Sequence, residues 1–373
     1  MSNFNNILVT GSEGFIGKNI CSWLKESNFN VIRFDINTTD SLLSLVKKSD
    51  FVIHLAGINR PLKSEEFYDG NSNLTYSLIE AIKGCGRKIP VFFASSTQAA
   101  LENDYGKSKR MAENFLFGFQ ASYQNPVYVY RLQNVFGKWC RPNYNSVIAT
   151  FCYNVSHDVP LSINDPSAKR DFVYIDDVCK EILNLLSSEK TAGSSQILTV
   201  LPSYNCSIGE VANIISHFKR TRETLMLPNT GEDFVAKLYA TYLSYLEPHK
   251  GFSYKLSPHY DNRGSFTEFF KTKSYGQLSI NISKPGITKG NHYHHTKNEK
   301  FLVVHGKCLI RFRKVGEDKI FEYLVDGNDF LVVDIPCGYI HSITNVGSDD
   351  SVTLMWASEL YDPSRPDTFY EEI

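Results

Sequence analysis

The sequence predicts two folds in tandem: an α/β doubly wound parallel sheet, then an all-β antiparallel sandwich or barrel. Three observations carry this. The first half alternates short apolar runs with segments of helical period, the pattern of βαβ units. A glycine-rich loop follows the first apolar run and opens a helix. After Tyr245 the character changes: Pro248, Gly251 and Pro258 break the helical pattern, and short strands with Gly-rich turns follow.

In the first half the strands are read at Ile7–Thr10, Val31–Asp35, Phe51–Leu55, Val91–Ala94 and Val127–Tyr130. Helices are expected over Lys18–Lys25, Leu74–Lys83 and Lys107–Phe117. Ser207 and Glu210 have capping-box spacing and start a helix running to about Lys219. Arg220 to Leu246 reads as a connection. Beyond it, strands are expected at Phe266–Phe270, Leu278–Ile282, Phe301–Val304, Cys308–Phe312, Leu331–Ile335 and Val352–Trp356. The predicted domains are residues 1–245 and 246–373.

Composition narrows the function classes. A chain of 373 residues is long enough for two cores, and 42% hydrophobic with 21% charged residues is ordinary for a globular protein. A net charge of -1 with no basic stretch argues against a nucleic-acid partner. No apolar run approaches the roughly 20 residues that span a bilayer, and the start lacks the basic, apolar and cleavage segments of a signal peptide. Eight scattered cysteines without a Cys-x-x-Cys pair read as reduced thiols of a cytoplasmic protein.

The loop Gly11-x-x-Gly14-x-x-Gly17 suits a dinucleotide pyrophosphate. Gly11 permits the tight turn, Gly14 the close approach of backbone, and Gly17 the packing of helix on strand. Phe15 and Ile16 begin the helix whose N–H groups face the phosphates. Asp35, ending the second strand, lies where an acid grips the adenosine ribose of NAD, while Arg33 would instead meet the 2′-phosphate of NADP. Tyr105 and Lys109, four apart, share a helix face. A lysine there is expected to lower the phenol pKa and make Tyr105 a proton donor, with Ser96 at the end of the fourth strand holding a substrate carbonyl.

These pieces resemble the extended short-chain dehydrogenase/reductases. The likeness rests on the three glycines, His54-Leu55-Ala56-Gly57, Ser95-Ser96, Tyr105-Gly106-Lys107-Ser108-Lys109, Arg131 to Gly137, and Arg170 to Val178. The resemblance implies a Rossmann-like fold, coenzyme contacts at Leu55, Ala56 and Gly57, and a nucleotide-linked sugar as substrate. It places Arg131, Asn134 and Arg170 near that sugar, where a structural role stands equally open. Dehydratases of the family carry an acid pair beside the Ser/Thr, and Thr97-Gln98 fill those places here.

In the last third, Gly286-x5-His292-x-His294-x4-Glu299-x6-Gly306 is followed by Pro336-x-Gly338-x2-His341-x3-Asn345. On a strand His292 and His294 point to one face, and Glu299 with His341 on adjoining strands would close a site for zinc or another first-row divalent ion. His295 and His305 are read as outer or solvated. This pattern resembles the two motifs of the cupins, which implies a double-stranded β-helix, or jelly-roll, barrel. Phe330 stands near where the second motif normally opens on glycine, with Gly327 close by. Asp261 to Glu268 is similar to the opening of the deoxysugar 3,5-epimerase branch, which implies sugar-nucleotide contacts by Arg263 and Glu268. In that branch the base sits at the position of His292, so Lys289 and Tyr339 become the candidates for it here.

The tandem order resembles the CapF-type bifunctional enzymes of capsular polysaccharide synthesis, carried by Phe136 to Cys140, Pro142 to Tyr153 and Lys284 to His292. That resemblance implies a homodimer on the route to UDP-N-acetyl-L-fucosamine. The cupin would epimerise C3 of a UDP-4-keto-6-deoxy-N-acetylhexosamine, and the reductase would reduce C4 to UDP-2-acetamido-2,6-dideoxy-L-talose. NADPH is the coenzyme implied, with NADH the alternative because Asp35 would repel a 2′-phosphate. The competing reading is a keto-sugar reductase whose cupin serves only for binding or dimerisation.

Overall fold

The computed structural model describes residues 4–61, 63–187 and 196–373. The chain forms two compact units, residues 1–215 with 237–247 and residues 216–236 with 248–373. The strands of the first are β1 (Asn6–Thr10), β2 (Asn30–Phe34), β3 (Phe51–His54), β4 (Val91–Ser96), β5 (Val127–Leu132), β6 (Asn134–Phe136), β7 (Lys169–Tyr174), β8 (Ile197–Leu198) and β9 (Tyr204–Ser207). A parallel sheet runs in the order β2-β1-β3-β4-β5-β8, and β6-β7-β9 make a smaller one. This is the doubly wound, Rossmann-like sheet the sequence predicts.

Alternation along its strands builds two apolar layers. Ile7, Val9, Phe51, Ile53 and Phe92 pack with the helices Phe15–Glu26 and Ile175–Ser187. Leu8, Val52, Val91 and Phe93 pack with the helices Leu74–Cys85 and Asp104–Tyr123. A strand covered on both faces needs apolar residues on both, and each such side chain stabilises by about 1.5–3 kcal/mol when buried. The order reverses between β1 and β3, and in such sheets ligands bind outside the strand ends at that point.

Two helix expectations are corrected. The helix expected from Lys107 begins at Asp104, because the Asn103 side chain caps it by accepting from the Gly106 N–H at 2.7 Å. The expected connection is largely helical. The capping-box helix spans Ile208–Thr224, with Ser207 and Glu210 bonded reciprocally, and a second helix spans Asp233–Leu243 with Leu238 and Tyr242 buried one turn apart.

The second unit holds β10 (His259–Asp261), β11 (Gly264–Thr272), β12 (Gly276–Ser283), β13 (Thr288–Tyr293), β14 (Glu299–His305), β15 (Lys307–Lys314), β16 (Ile320–Asp326), β17 (Val332–Ile335), β18 (Tyr339–Asn345), β19 (Ser351–Ala357) and β20 (Phe369–Tyr370). They form two antiparallel sheets, β10-β11-β12-β19-β14-β17 and β16-β15-β18-β13-β20. Phe301, Val303 and Val333 from one and Ile310, Phe312 and Ile343 from the other share one core. Phe330 adopts φ +51, the left-handed conformation that a glycine near this position would take without strain. No helix among the described residues is long and apolar enough to cross a membrane, and all eight cysteines are free.

Candidate active sites

The glycine loop leaves the end of β1. Gly11 has φ +70, and a Cβ there would stand 2.7 Å from the Ala56 backbone nitrogen; one on Gly17 would stand 2.1 Å from the Gly11 carbonyl oxygen. The loop, the Leu55-Ala56-Gly57 turn after β3 and the helix beginning at Phe15 and Ile16 therefore meet at the strand-order reversal. Asp35 follows the end of β2 and accepts backbone N–H bonds from Glu13 at 2.8 Å and Ile36 at 2.9 Å. Arg33 pairs with Glu13 at 2.9 Å.

Ser96 closes β4, while Tyr105 and Lys109 occupy the first turns of the helix Asp104–Tyr123. Burial raises the Tyr105 pKa, and its bond with Ser96 opposes this. Lys109, expected to lower the phenol, has its ammonium over the Phe93 ring, 4.4 Å from its centroid. Burial pushes Lys109 itself down to about 8, with the Glu113 carboxylate pulling the other way. A Cβ on Gly57 would meet Asn71 Oδ1 at 2.5 Å and Lys109 Nζ at 3.7 Å, so the β3 turn and this lysine are neighbours.

Sequence reasoning missed Glu113, although its spacing of four from Lys109 was a signal. Its buried carboxylate accepts two bonds from Arg131, at 2.9 and 2.7 Å, and one from Ser95 at 2.5 Å. Arg131 is therefore engaged structurally. Exposed Asn134 donates to the Asp171 carbonyl, and the Arg170 guanidinium to the Lys169 carbonyl.

In the second unit the ligand atoms of His292, His294, Glu299 and His341 all lie within 4.8 Å of one another. One detail changes. His341 on β18 pairs directly with His292 on β13, but Glu299 begins β14 in the other sheet, so the site joins two sheets rather than adjoining strands. His294 lies just past the end of β13, with its ring 4.9 Å from that of His292. Burial and the neighbouring rings push His292 down to about 4. Burial would raise Glu299, yet the facing imidazoles of His294 and His341 hold it well below the usual carboxylate range. The Nε2 atoms of His294 and His341 are buried without a hydrogen-bond partner. Two orphaned nitrogens, a third imidazole and a carboxylate are the donor set that a tetrahedral divalent ion uses, so the residues fit a metal.

A cavity of about 660 Å³ includes Phe312, Tyr323, Pro336 and Tyr339 in its wall. Lys289 donates to Asn281 Oδ1 at 2.7 Å and to the Ile282 carbonyl at 2.9 Å. Arg263 is held by Asp261, and Glu268 pairs with Lys271 at 2.7 Å. His295 and His305 are exposed.

Residues 7–200 match the NAD dependent epimerase/dehydratase family, and residues 259–369 match the polysaccharide biosynthesis C-terminal domain. A UDP-2-acetamido-2,6-beta-L-arabino-hexul-4-ose reductase from Pseudomonas aeruginosa is 44% identical over 365 residues, covering 97% of each chain. The crystal structure of the capsular polysaccharide assembling protein CapF from Staphylococcus aureus superposes with TM-score 0.92 at 44% identity, covering 99% of this chain and 100% of that one. The chain belongs to the CapF-type family. A dTDP-4-dehydro-6-deoxyglucose reductase from Escherichia coli is 26% identical over 235 residues, covering 50% of this CapF-type chain and 73% of that protein. The CapF-type likeness therefore embraces both units, whereas the wider nicotinamide-dependent family matches only the first.

Proposed function

We propose that this chain makes UDP-2-acetamido-2,6-dideoxy-L-talose in two steps, as a cytoplasmic homodimer in capsular or O-antigen polysaccharide synthesis. Residues 246–373, read as a cupin, epimerise C3 of a UDP-4-keto-6-deoxy-N-acetylhexosamine; residues 1–245 then reduce the C4 ketone. The observation that carries the reading is the buried His292, His294, Glu299 and His341 cluster, in a chain 44% identical to a UDP-keto-sugar reductase.

In the first unit Ser96 would hold the C4 carbonyl oxygen and Tyr105 would donate the proton to it. Lys109, kept cationic, would stabilise the phenolate left behind. Gly11, Gly14, Phe15, Ile16 and Gly17, with Leu55, Ala56 and Gly57, would seat the coenzyme, which supplies the hydride. Asn134 and Arg170 would face the sugar nucleotide in this unit, and Arg263 and Glu268 in the other. In the second unit the three histidines and Glu299 would hold zinc or a similar ion, which when bound polarises a ketone and makes the proton beside it more acidic. Lys289 or Tyr339 would move that proton.

NADPH is the coenzyme on the resemblance. One observation favours NADH as a second reading: the Asp35 carboxylate is fixed on the Glu13 N–H, and Arg33 is already paired with Glu13. A 2′-phosphate would meet two carboxylates there. Comparing kcat/KM with the two coenzymes decides, and a strong NADH preference overturns NADPH.

The test of the whole reading is incubation with the 4-keto-sugar nucleotide in D2O, followed by NMR. Deuterium entering C3 without coenzyme supports epimerisation; its absence leaves a reductase with a binding module. Tyr105→Phe should abolish reduction and spare C3 exchange. Should that variant reduce normally, the assignment of Tyr105 fails.

A further inference from the structure

We infer that the C-terminal segment Asp362–Ile373 is a strap that sets the tautomer of His294 and so governs metal retention, with Asp367 as its positioning residue. This rests on the metal reading of the His/Glu cluster. The Asp367 carbonyl oxygen lies 2.5 Å from His294 Nδ1. A carbonyl only accepts, so the ring proton belongs on Nδ1 and the lone pair on Nε2. That Nε2 is buried and makes no hydrogen bond, lying 3.5 Å from Glu299 Oε2 within the cluster of four donors. A neutral imidazole has one N–H, and the group holding it decides which nitrogen is left for a metal.

The carbonyl is held in place by the same residue's carboxylate. Asp367 accepts the backbone N–H groups of His295 at 3.0 Å, Thr296 at 2.9 Å and Lys297 at 2.9 Å, together with the Thr296 hydroxyl at 3.1 Å. Charge-assisted bonds to three successive N–H groups pin the loop that carries His294. The Lys297 ammonium reaches back to the Pro366 carbonyl at 3.4 Å and the Thr368 hydroxyl at 3.2 Å. Asp367 adopts φ +41, a left-handed conformation that aspartate tolerates better than most residues.

The rest of the strap is fastened along β13. Strand β20 pairs with β13, Tyr370 opposite His292 and Phe369 opposite Tyr293. The Glu371 N–H donates to the Asn291 carbonyl at 3.0 Å, and the Glu371 carboxylate pairs with Arg313 at 2.8 Å. His341 has a weaker version of the same arrangement, with Nδ1 3.4 Å from the Tyr339 carbonyl. Residues far beyond the last ligand thus supply the outer support of one ligand and the edge pairing of another. Outer-shell partners of this kind change metal affinity by roughly 10–100-fold.

The test uses the full chain as wild type, Asp367→Gly and Asp367→Asn. Glycine keeps the left-handed backbone but removes the carboxylate; asparagine keeps one acceptor oxygen. Zinc affinity is measured by competition with a chelating dye, and the His294 tautomer by 15N NMR of the imidazoles in metal-free protein. Wild type should show the Nδ1–H form at His294. Asp367→Gly should bind zinc about 10-fold or more weakly and lose that single tautomer, whereas Asp367→Asn should stay nearer wild type. A folded Asp367→Gly protein with unchanged affinity overturns the strap. So does wild-type His294 in the Nε2–H form, a readout that stands even should the glycine variant fail to fold. A wild type that takes up no zinc overturns the metal reading beneath it.

Discussion

At the scale of the residue, Lys109 sets the first prediction. Burial favours its neutral form and brings its pKa down to about 8, while Glu113 one turn on pulls it up. Loss of the proton as pH rises through that value removes the cation proposed to stabilise the Tyr105 phenolate. The kcat/KM for ketone reduction should therefore hold below about pH 8 and fall above it. Glu113→Gln removes this opposing charge and leaves its partner Arg131 unneutralised, so the falling limb should move to lower pH. A pH–rate profile of the two proteins checks both, and an unmoved limb in the variant refutes the coupling. Stability follows the same sign. The native lysine gives up its proton near 8 and the unfolded one near 10.5, so lowering the pH through that window costs the fold some stability.

Elements explain how the second site is aimed. On β13 Lys289 pairs with Ile343 and His292 with His341, two partners that share a face of β18. Residues three apart should face opposite ways on a regular strand. The register shift between Gly290 and His292, with φ +98 at Gly290 and +57 at Asn291, absorbs one residue and turns both inward. A Cβ on Gly290 would stand 2.7 Å from the His341 carbonyl oxygen. Gly290→Ala should therefore misplace His292, lower stability by about 1–3 kcal/mol and cut zinc retention, read by thermal melts and by metal content after gel filtration. An alanine variant with full metal content would show that the bulge does not aim the ligand. This bulge also explains why the sequence reading put His292 and His294 on a strand without bounding it: the period-two signal of β13 is broken at Gly290 and Asn291. Strand β16 escaped for another reason, since nearly every residue of it is exposed and no alternation marks an edge strand. The strands β1, β3, β4 and β5 were legible because burial on both faces forces continuous apolar runs. The clustering of His292, His294, Glu299 and His341 was legible from spacing alone, but Glu113 and Asp367 bond to distant partners that no local pattern connects.

On the scale of the whole molecule, the two sets of groups named above fall in different units. Ser96, Tyr105, Lys109 and the glycine loop all belong to residues 1–215, and the four clustered ligands all belong to residues 248–373. The compound that would pass between them is a charged, water-soluble sugar nucleotide, free to leave one site and enter the other. Tyr105→Phe and His292→Ala should then complement in trans. Each variant alone should give no C4-reduced, C3-inverted product from the 4-keto-sugar nucleotide, the first stopping at the epimerised ketone and the second before it. Mixed in equal amounts with coenzyme, they should form it after a lag that shortens as enzyme concentration rises, followed by NMR of the sugar protons. A mixture as inactive as its parts would mean that the intermediate never leaves the chain that made it, and that the two chemistries depend on residence in one molecule rather than on two self-sufficient sites.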